Sequence, residues 1–324
     1  MRYEIPYNEI KTSISGKEFK KIAIQLPEGL KRYGKEIIQK LEKEVEKELI
    51  LSGYPCYGAC DTKDKELEKL GIDKIIHLGH FKIPFKQSIE TEYFPIKSNL
   101  KIKNTLEKTL EFIDKNEIGL ITTPQHIHKI DKIKEFFKNK GIEAKTSKGN
   151  KRITSEGLVL GCNFSAAKIK QKETLYIGSG EFHPLGVALS NKSKVIAANP
   201  ETNQIKEIGY KNFIKKRYSI IGKIKDLNDF GILISTKKGQ IRYNLAKKIR
   251  KIIEKANKTG DLIAIDDVLP NELINFGYEA YVNTSCPRLS IDDYNKFEMP
   301  IITPNEAKIA FGEKDYQKYE MDEF

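Results

Sequence analysis

Four cysteines are the side chains of this sequence best suited to chemistry: Cys56, Cys60, Cys162 and Cys286. Three sit in loops of small residues, Gly58-Ala59-Cys60, Gly161-Cys162-Asn163 and Thr284-Ser285-Cys286-Pro287. No Cys-x-x-Cys occurs, so the close ligand pairs of a zinc ribbon are absent. The three loops lie far apart in the chain. If the fold brings them together, three thiolates on one point suit a cubane iron–sulfur cluster with one iron left open. That iron can take a substrate ligand, much as a catalytic zinc keeps an open position. The competing reading treats each cysteine as a small buried hydrophobe. Three cysteines in similar loops weigh against it.

Positioning such loops needs a scaffold. Ile22-Ala23-Ile24-Gln25-Leu26 reads as a buried strand, followed by Pro27-Glu28-Gly29 and a helical stretch from about Leu30 to Leu41. Glu48 to Ser52 and Ile75 to Leu78 read as two more strands. The pattern of strand, polar turn and helix recurs. Ile118 to Thr122 leads through Pro124-Gln125-His126 into a helix near Ile130 to Asn139. Phe230 to Ser235 leads through Lys237-Lys238-Gly239-Gln240 into a helix near Tyr243 to Ala256. From Ile24 to Cys60, Leu120 to Cys162 and Leu233 to Cys286 the separations are 36, 42 and 53 residues. These drifting separations describe a divergent triplication, with each cysteine at an equivalent place in its unit. The expected fold is α/β: three similar domains, each a small parallel sheet flanked by helices, arranged around a central cluster site. The expected units are 1–110 with Cys60, 111–208 with Cys162 and 209–324 with Cys286.

Composition excludes several classes. The 324 residues are 39% hydrophobic and 31% charged, a globular balance that argues against a disordered chain or a small disulfide scaffold. No apolar run approaches the ~20 residues that span a bilayer. The start, Met1-Arg2-Tyr3-Glu4-Ile5-Pro6, leads into no apolar core of a signal peptide, so a cytoplasmic protein is expected. The net charge of +12 comes mostly from lysines interleaved with glutamates, as in Leu41 to Glu48, and reads as solvated helix faces. With no zinc-finger, RNA-recognition or basic-zipper signature, no direct nucleic-acid readout is expected.

Several segments in order carry a family resemblance: Ile24-Gln25-Leu26-Pro27-Glu28-Gly29-Leu30, Tyr57-Gly58-Ala59-Cys60-Asp61, Leu160-Gly161-Cys162-Asn163 and Gly178-Ser179-Gly180-Glu181-Phe182-His183-Pro184-Leu185-Gly186. Ser235-Thr236-Lys237-Lys238-Gly239-Gln240, Asn283-Thr284-Ser285-Cys286-Pro287-Arg288, Asp292-Asp293 and Pro300-Ile301-Ile302-Thr303-Pro304 continue it. From about residue 20 to 305 the chain resembles the archaeal first-step enzymes of diphthamide biosynthesis, the 3-amino-3-carboxypropyl transferases. The resemblance implies three similar α/β domains, a homodimer and one [4Fe-4S] cluster held by Cys60, Cys162 and Cys286. It implies S-adenosylmethionine as co-substrate, cleaved between sulfur and the aminocarboxypropyl chain. Methylthioadenosine is released, and the group passes to carbon 2 of a histidine imidazole in translation elongation factor 2. An electron donor is required. The sequence departs from the family at Cys56, where the family has a residue such as threonine. Cys56-x-x-x-Cys60 has only the first spacing of the usual radical S-adenosylmethionine motif, so Cys56 reads as a spare thiol.

Other residues suit the cofactor. Gly178 and Gly180 follow a strand and can bring backbone amides close to it, although a plain tight turn would look the same. Lys237 suits its carboxylate and Gln240 its amino acid end; an exposed lysine is the plainer alternative for Lys237. Asp292 and Asp293 suit its ammonium or sulfonium, or else cap a helix running toward Phe297. His183 is the histidine best placed for the pocket or for proton handling. His126 and His128 are two apart, so on a strand both rings would face one side. Two other classes of function remain: an iron–sulfur electron carrier or sensor without transferase activity, and a metal-free α/β nucleotide-binding protein.

Overall fold

The computed structural model describes residues 2–16 and 18–324. The first strands are β1 (Tyr3–Glu4), β2 (Lys21–Gln25), β3 (Glu48–Leu51), β4 (Lys74–Leu78), β5 (Glu90–Phe94) and β6 (Lys97–Ser98). Strands β2 to β5 form a parallel sheet in the order β3-β2-β4-β5, while β1 and β6 pair antiparallel as a short ribbon. Next come β7 (Glu117–Thr122), β8 (Glu143–Lys145), β9 (Glu173–Ile177), β10 (Lys194–Asn199) and β11 (Gln204–Ile208). They form a sheet in the order β11-β10-β9-β7-β8, antiparallel only at β11. The last sheet takes β12 (Asp229–Ser235), β13 (Thr259–Ile265), β14 (Ala280–Asn283) and β15 (Ile301–Ile302) in the order β13-β12-β14-β15, all parallel.

The three main sheets share one topology. In each, the first strand lies between the second and the third, and the fourth follows the third. The middle sheet adds one antiparallel strand. In such a sheet the connections reverse direction beside the first strand, which opens a crevice at the strands' carboxyl ends. All three cysteine loops leave from those ends.

The equivalence of the cysteines needs correcting. Cys60 and Cys162 lie between the second and third strands of their sheets, whereas Cys286 follows the third strand, β14, and precedes the helix Pro287–Ile291. The longer separation in the last unit accommodates β14 before the cysteine. Two further expectations differ. His126 precedes the 3-10 turn Ile127–Lys129, not a strand, so its ring and that of His128 do not share a strand face. No long helix runs from Asp292 to Phe297; a 3-10 turn, Tyr294–Lys296, stands there, and Asp293 makes no side-chain cap.

Alternation along the central strands sets the layers. In β7, Ile118 and Leu120 face one core with Ile133 and Phe137 of the helix Ile130–Lys138, while Ile121 faces the opposite core. In β12, Phe230, Ile232 and Ile234 join that opposite core and Leu233 points away. The middle and last sheets thus share a single apolar core, and the first sheet has its own, around Ile22, Ile24, Ile37 and Ile76.

One ion pair lies deep in the shared region. Arg217 donates from Nε to Glu306 Oε1 at 2.6 Å and from Nη2 to Oε2 at 2.7 Å, with both side chains essentially without exposure. Glu306 also accepts from Tyr319 Oη at 2.9 Å and from the Thr303 amide at 2.8 Å, closing a capping box on the helix Pro304–Ala310. Removing one member strands the other charge. Arg217→Met is therefore expected to cost about 3–5 kcal/mol, read as a lowered denaturant midpoint at unchanged slope.

Candidate metal centre

The carboxyl ends of the three sheets enclose a cavity of about 380 Å³ lined by Cys60, Cys162 and Cys286. Each cysteine is held by a different local device. Cys60 lies on a turn closed by the Asp61 amide donating to the Gly58 carbonyl at 3.2 Å. Cys162 is at the tip of a two-residue turn in which Leu160 and Asn163 exchange main-chain bonds of 3.0 and 3.1 Å. Cys286 is fixed by Asn283, whose Nδ2 donates to the Cys286 carbonyl at 2.8 Å and whose Oδ1 accepts from the Ser285 amide at 2.9 Å.

The last unit closes directly on Cys60. The Gly239 amide donates to the Cys60 carbonyl at 3.2 Å, and Gln240 Nε2 donates to Cys60 Sγ at 3.2 Å. A Cβ at Gly239 would stand 2.5 Å from Cys60 Cα, so only glycine permits this approach.

All four cysteines are free thiols. Burial pushes Cys162 up to about 12, with Arg152 pulling it down and Cys60 and Cys286 pushing it up. Burial pushes Cys286 up to about 11, and Cys60 adds to it. Cys60 is raised by burial, with Gln240 opposing. The neighbouring thiols thus add to the effect of burial, and positive charge beside them favours loss of their protons. Arg152, Arg242 and Arg288 gather at this place. Arg152 and Arg242 both pack on the Phe324 ring, 4.4 and 4.1 Å from its centroid. Arg242 also holds the Thr284 and Ser285 carbonyls at 2.7 and 3.0 Å and pairs with Asp322. Arg152 Nε is buried with no partner among the described residues, a donor without an acceptor.

Among the described residues, Cys56, His77 and His80 offer three donor atoms all within 4.8 Å of one another. His77 spends both ring nitrogens, on Gln25 at 2.7 Å and on His80 at 2.9 Å, so it has none left for a cation. The three cavity thiols do not form such a close group among the described residues. Ligands of one zinc ion, each at roughly 2.3 Å from it, would be crowded together. The spacing and the three-sulfur donor set fit a multi-iron cluster instead.

The other residues singled out from sequence are placed as follows. His183 lines the cavity from the helix Phe182–Asn191, its ring parallel to Tyr176, and burial holds it down at about 4. Gln240 lines it beside Cys60. Of the Gly178-Ser179-Gly180 turn, Ser179 reaches the cavity; the Gly178 amide is spent on the Ala198 carbonyl at 3.0 Å, and Gly180 turns with a φ of +75°. Lys237 is not at the cavity wall. Its ammonium is bound by Asp61 at 2.6 Å and Asp267 at 2.7 Å, bonds that outweigh burial and raise its pKa. Asp292 pairs with Arg288, which does line the cavity. Cys56 is fully buried beneath the loop, its amide donating to Glu28 Oε1 at 3.0 Å, and burial pushes it up to about 12. Sequence reasoning missed Arg152, Arg242, Arg288 and His80. The segment Asn283 to Arg288 carried one of these; the others have no local signal.

No helix among the described residues is long and apolar enough to cross a membrane. Comparison with known proteins gives a consistent picture. The chain is 39% identical to the 2-(3-amino-3-carboxypropyl)histidine synthase of Pyrococcus horikoshii, covering 100% of this chain and 94% of that one. It is 31% identical to the enzyme of the same name from Methanocaldococcus jannaschii, covering 94% and 87%. The crystal structure of Dph2 from Pyrococcus horikoshii with a 4Fe-4S cluster superposes with a TM-score of 0.93 at 38% identity, over 99% of this chain and 94% of that one. The diphthamide synthesis family model matches residues 26–321, and the chain belongs to that family.

Proposed function

We propose that this protein is a 2-(3-amino-3-carboxypropyl)histidine synthase, transferring the aminocarboxypropyl group of S-adenosylmethionine to C2 of a histidine in translation elongation factor 2. The observation that carries this reading is the convergence of Cys60, Cys162 and Cys286 on one cavity. Relatives of that name, and a closely similar structure containing a 4Fe-4S cluster, support it. When bound, the cluster supplies the single electron that splits the bond between sulfur and the aminocarboxypropyl chain, releasing methylthioadenosine.

The residues of this chain set the conditions for that chemistry. Cys60, Cys162 and Cys286 would each hold one iron of the cluster, which would leave the fourth without a cysteine ligand. Gln240 donates a hydrogen bond to the Cys60 sulfur and withdraws charge from it. Arg152, Arg242 and Arg288 offset the negative charge of the thiolates. Arg152 and Arg288 at the wall suit the carboxylate of the cofactor, a planar anion that a guanidinium can grip with two bonds. Ser179 and His183 complete the pocket, whereas Lys237 supports the site from behind through Asp61. An electron carrier without transferase activity is the alternative; it needs no pocket beside the thiols.

Two further features belong to the same reading. The division into units 1–110, 111–208 and 209–324 is supported by each sheet's drawing all its strands from one of them. A homodimer is supported by the exposed apolar residues Leu269, Ile274 and Phe276 at the helix Pro270–Phe276. Phe276→Asp is expected to leave a monomer in sedimentation equilibrium.

The transferase reading is tested by reconstituting the protein with iron and sulfide without oxygen, then adding S-adenosylmethionine and a reductant. Methylthioadenosine is the expected nucleoside, and it is lost in Cys60→Ala, Cys162→Ala and Cys286→Ala while Cys56→Ala retains it. Deoxyadenosine, or a loaded cluster that cleaves nothing, refutes it. Gly239→Ala forces the last unit off the Cys60 backbone. It is expected to lower bound iron severalfold, whereas Gly53→Ala, whose added methyl meets nothing within 4 Å, leaves iron content unchanged.

A further inference from the structure

Of the two histidines that line the cavity, His183 already has a place in the pocket and His80 does not. It follows Gly79, whose φ of +93° is one that side chains other than glycine rarely adopt; a Cβ there would also stand 2.7 Å from Pro27. This turn folds the chain back from the end of β4, so His80 meets the ring of His77, three residues earlier.

The protonation of this pair follows from its anchor. The main-chain carbonyl of Asp61 can only accept, so Gln25 presents its amide nitrogen there, at 3.1 Å. Gln25 Oε1 therefore faces His77 Nδ1 at 2.7 Å, and that nitrogen carries the proton. His77 is fully buried, and burial first and His80 second hold its pKa well below the ordinary value, so it is neutral and its Nε2 is bare. Its partner at 2.9 Å, His80 Nδ1, must then donate. The lone pair of neutral His80 is left on Nε2. Among the described residues that atom has no protein partner, it is not one of the buried unpaired atoms, and His80 lines the cavity, onto which it opens.

We propose that His80 is the base that completes the transfer, its Nε2 taking the proton lost from C2 of the substrate histidine. The inference rests on the transferase reading. Joining the aminocarboxypropyl fragment, a carbon-centred radical, to C2 forms the new C–C bond and leaves a tetrahedral carbon that still carries its hydrogen. The C2–H bond then breaks. Its electron pair returns to the ring, its proton goes to His80 Nε2, and one electron leaves to a one-electron acceptor of the iron–sulfur class. The cluster oxidised in the cleavage step matches that stoichiometry.

A neutral base suits the step. Burial holds His80 down at about 4, so Nε2 is bare before each turnover at neutral pH. The neighbouring Cys56 thiol, pushed up to about 12, stays neutral as well, and the Tyr93 ring packs on His77 at 4.8 Å without adding charge. The chain behind Nδ1 ends on a carbonyl, so it conducts no proton; Gln25 and His77 are positioning residues that aim the lone pair. His80 returns its proton to solvent through the cavity.

The test uses cluster-loaded protein and elongation factor 2 with His80→Gln and His80→Phe. Glutamine keeps a donor toward His77 and removes the base; phenylalanine removes both. In each, modified histidine per methylthioadenosine is expected to fall at least tenfold. The adduct that cannot lose its C2 hydrogen breaks its new C–C bond again, and the released radical, taking an electron from the added reductant and a proton from water, makes up the difference as 2-aminobutyrate. A cluster-free readout is nitrogen NMR of histidine-labelled protein, in which His80 is expected with Nδ1 protonated and Nε2 bare. Gln25→Leu is expected to mix the two tautomers. An unchanged product ratio, an equal fall of both products, or a protonated Nε2 overturns the proposal. A wild-type protein that forms no methylthioadenosine instead overturns the transferase reading, while the NMR result still decides the state of His80.

Discussion

Three thiols facing one cavity repel one another once they lose their protons, and each is raised by burial before its neighbours act. Much of the surrounding structure answers that constraint. Arg152, Arg242 and Arg288 bring positive charge, and the Phe324 ring packs against the guanidinium groups of the first two. Arg242 also grips the Thr284 and Ser285 carbonyls, so the residue that supplies charge shapes the Cys286 loop too.

The seam between the first and last units is the second consequence. Lys237 binds Asp61 and Asp267, Lys238 binds Asp64, and Lys63 reaches Asp266. Several of these groups are almost out of contact with water, so desolvation offsets much of their Coulombic gain. Their value is register. A lysine bound on both sides of the seam permits one relative placement of the two sheets, and that placement sets Gly239 against Cys60. Small residues at the contact and buried charge around it then act together: glycine allows the approach, and the ion pairs select it.

The same division of labour appears at His80 on the cavity wall. The His77–His80 pair is held by a glycine turn and a one-way hydrogen-bond chain, so its orientation costs no mobile charge in an apolar setting. The cavity therefore has two chemical faces, one of sulfur and guanidinium, the other of neutral imidazole.

The sequence by itself determined the local parts. Buried strands such as Ile22 to Leu26 and Phe230 to Ser235 were legible because apolar runs bounded by polar turns have few other solutions. The cysteine loops were legible because small residues beside a thiol stand out within a few positions. The shared strand order was not, since short strands such as β8 and β15 carry too little pattern. Only the tertiary structure decided that Cys286 follows a third strand rather than a second, that Lys237 binds Asp61 and does not line the cavity, and that Arg152 and Arg242 both pack on Phe324. Each of these joins residues tens to hundreds of positions apart. Local spacing carries no record of such pairings, because packing of whole sheets, not neighbouring residues, brings them within reach.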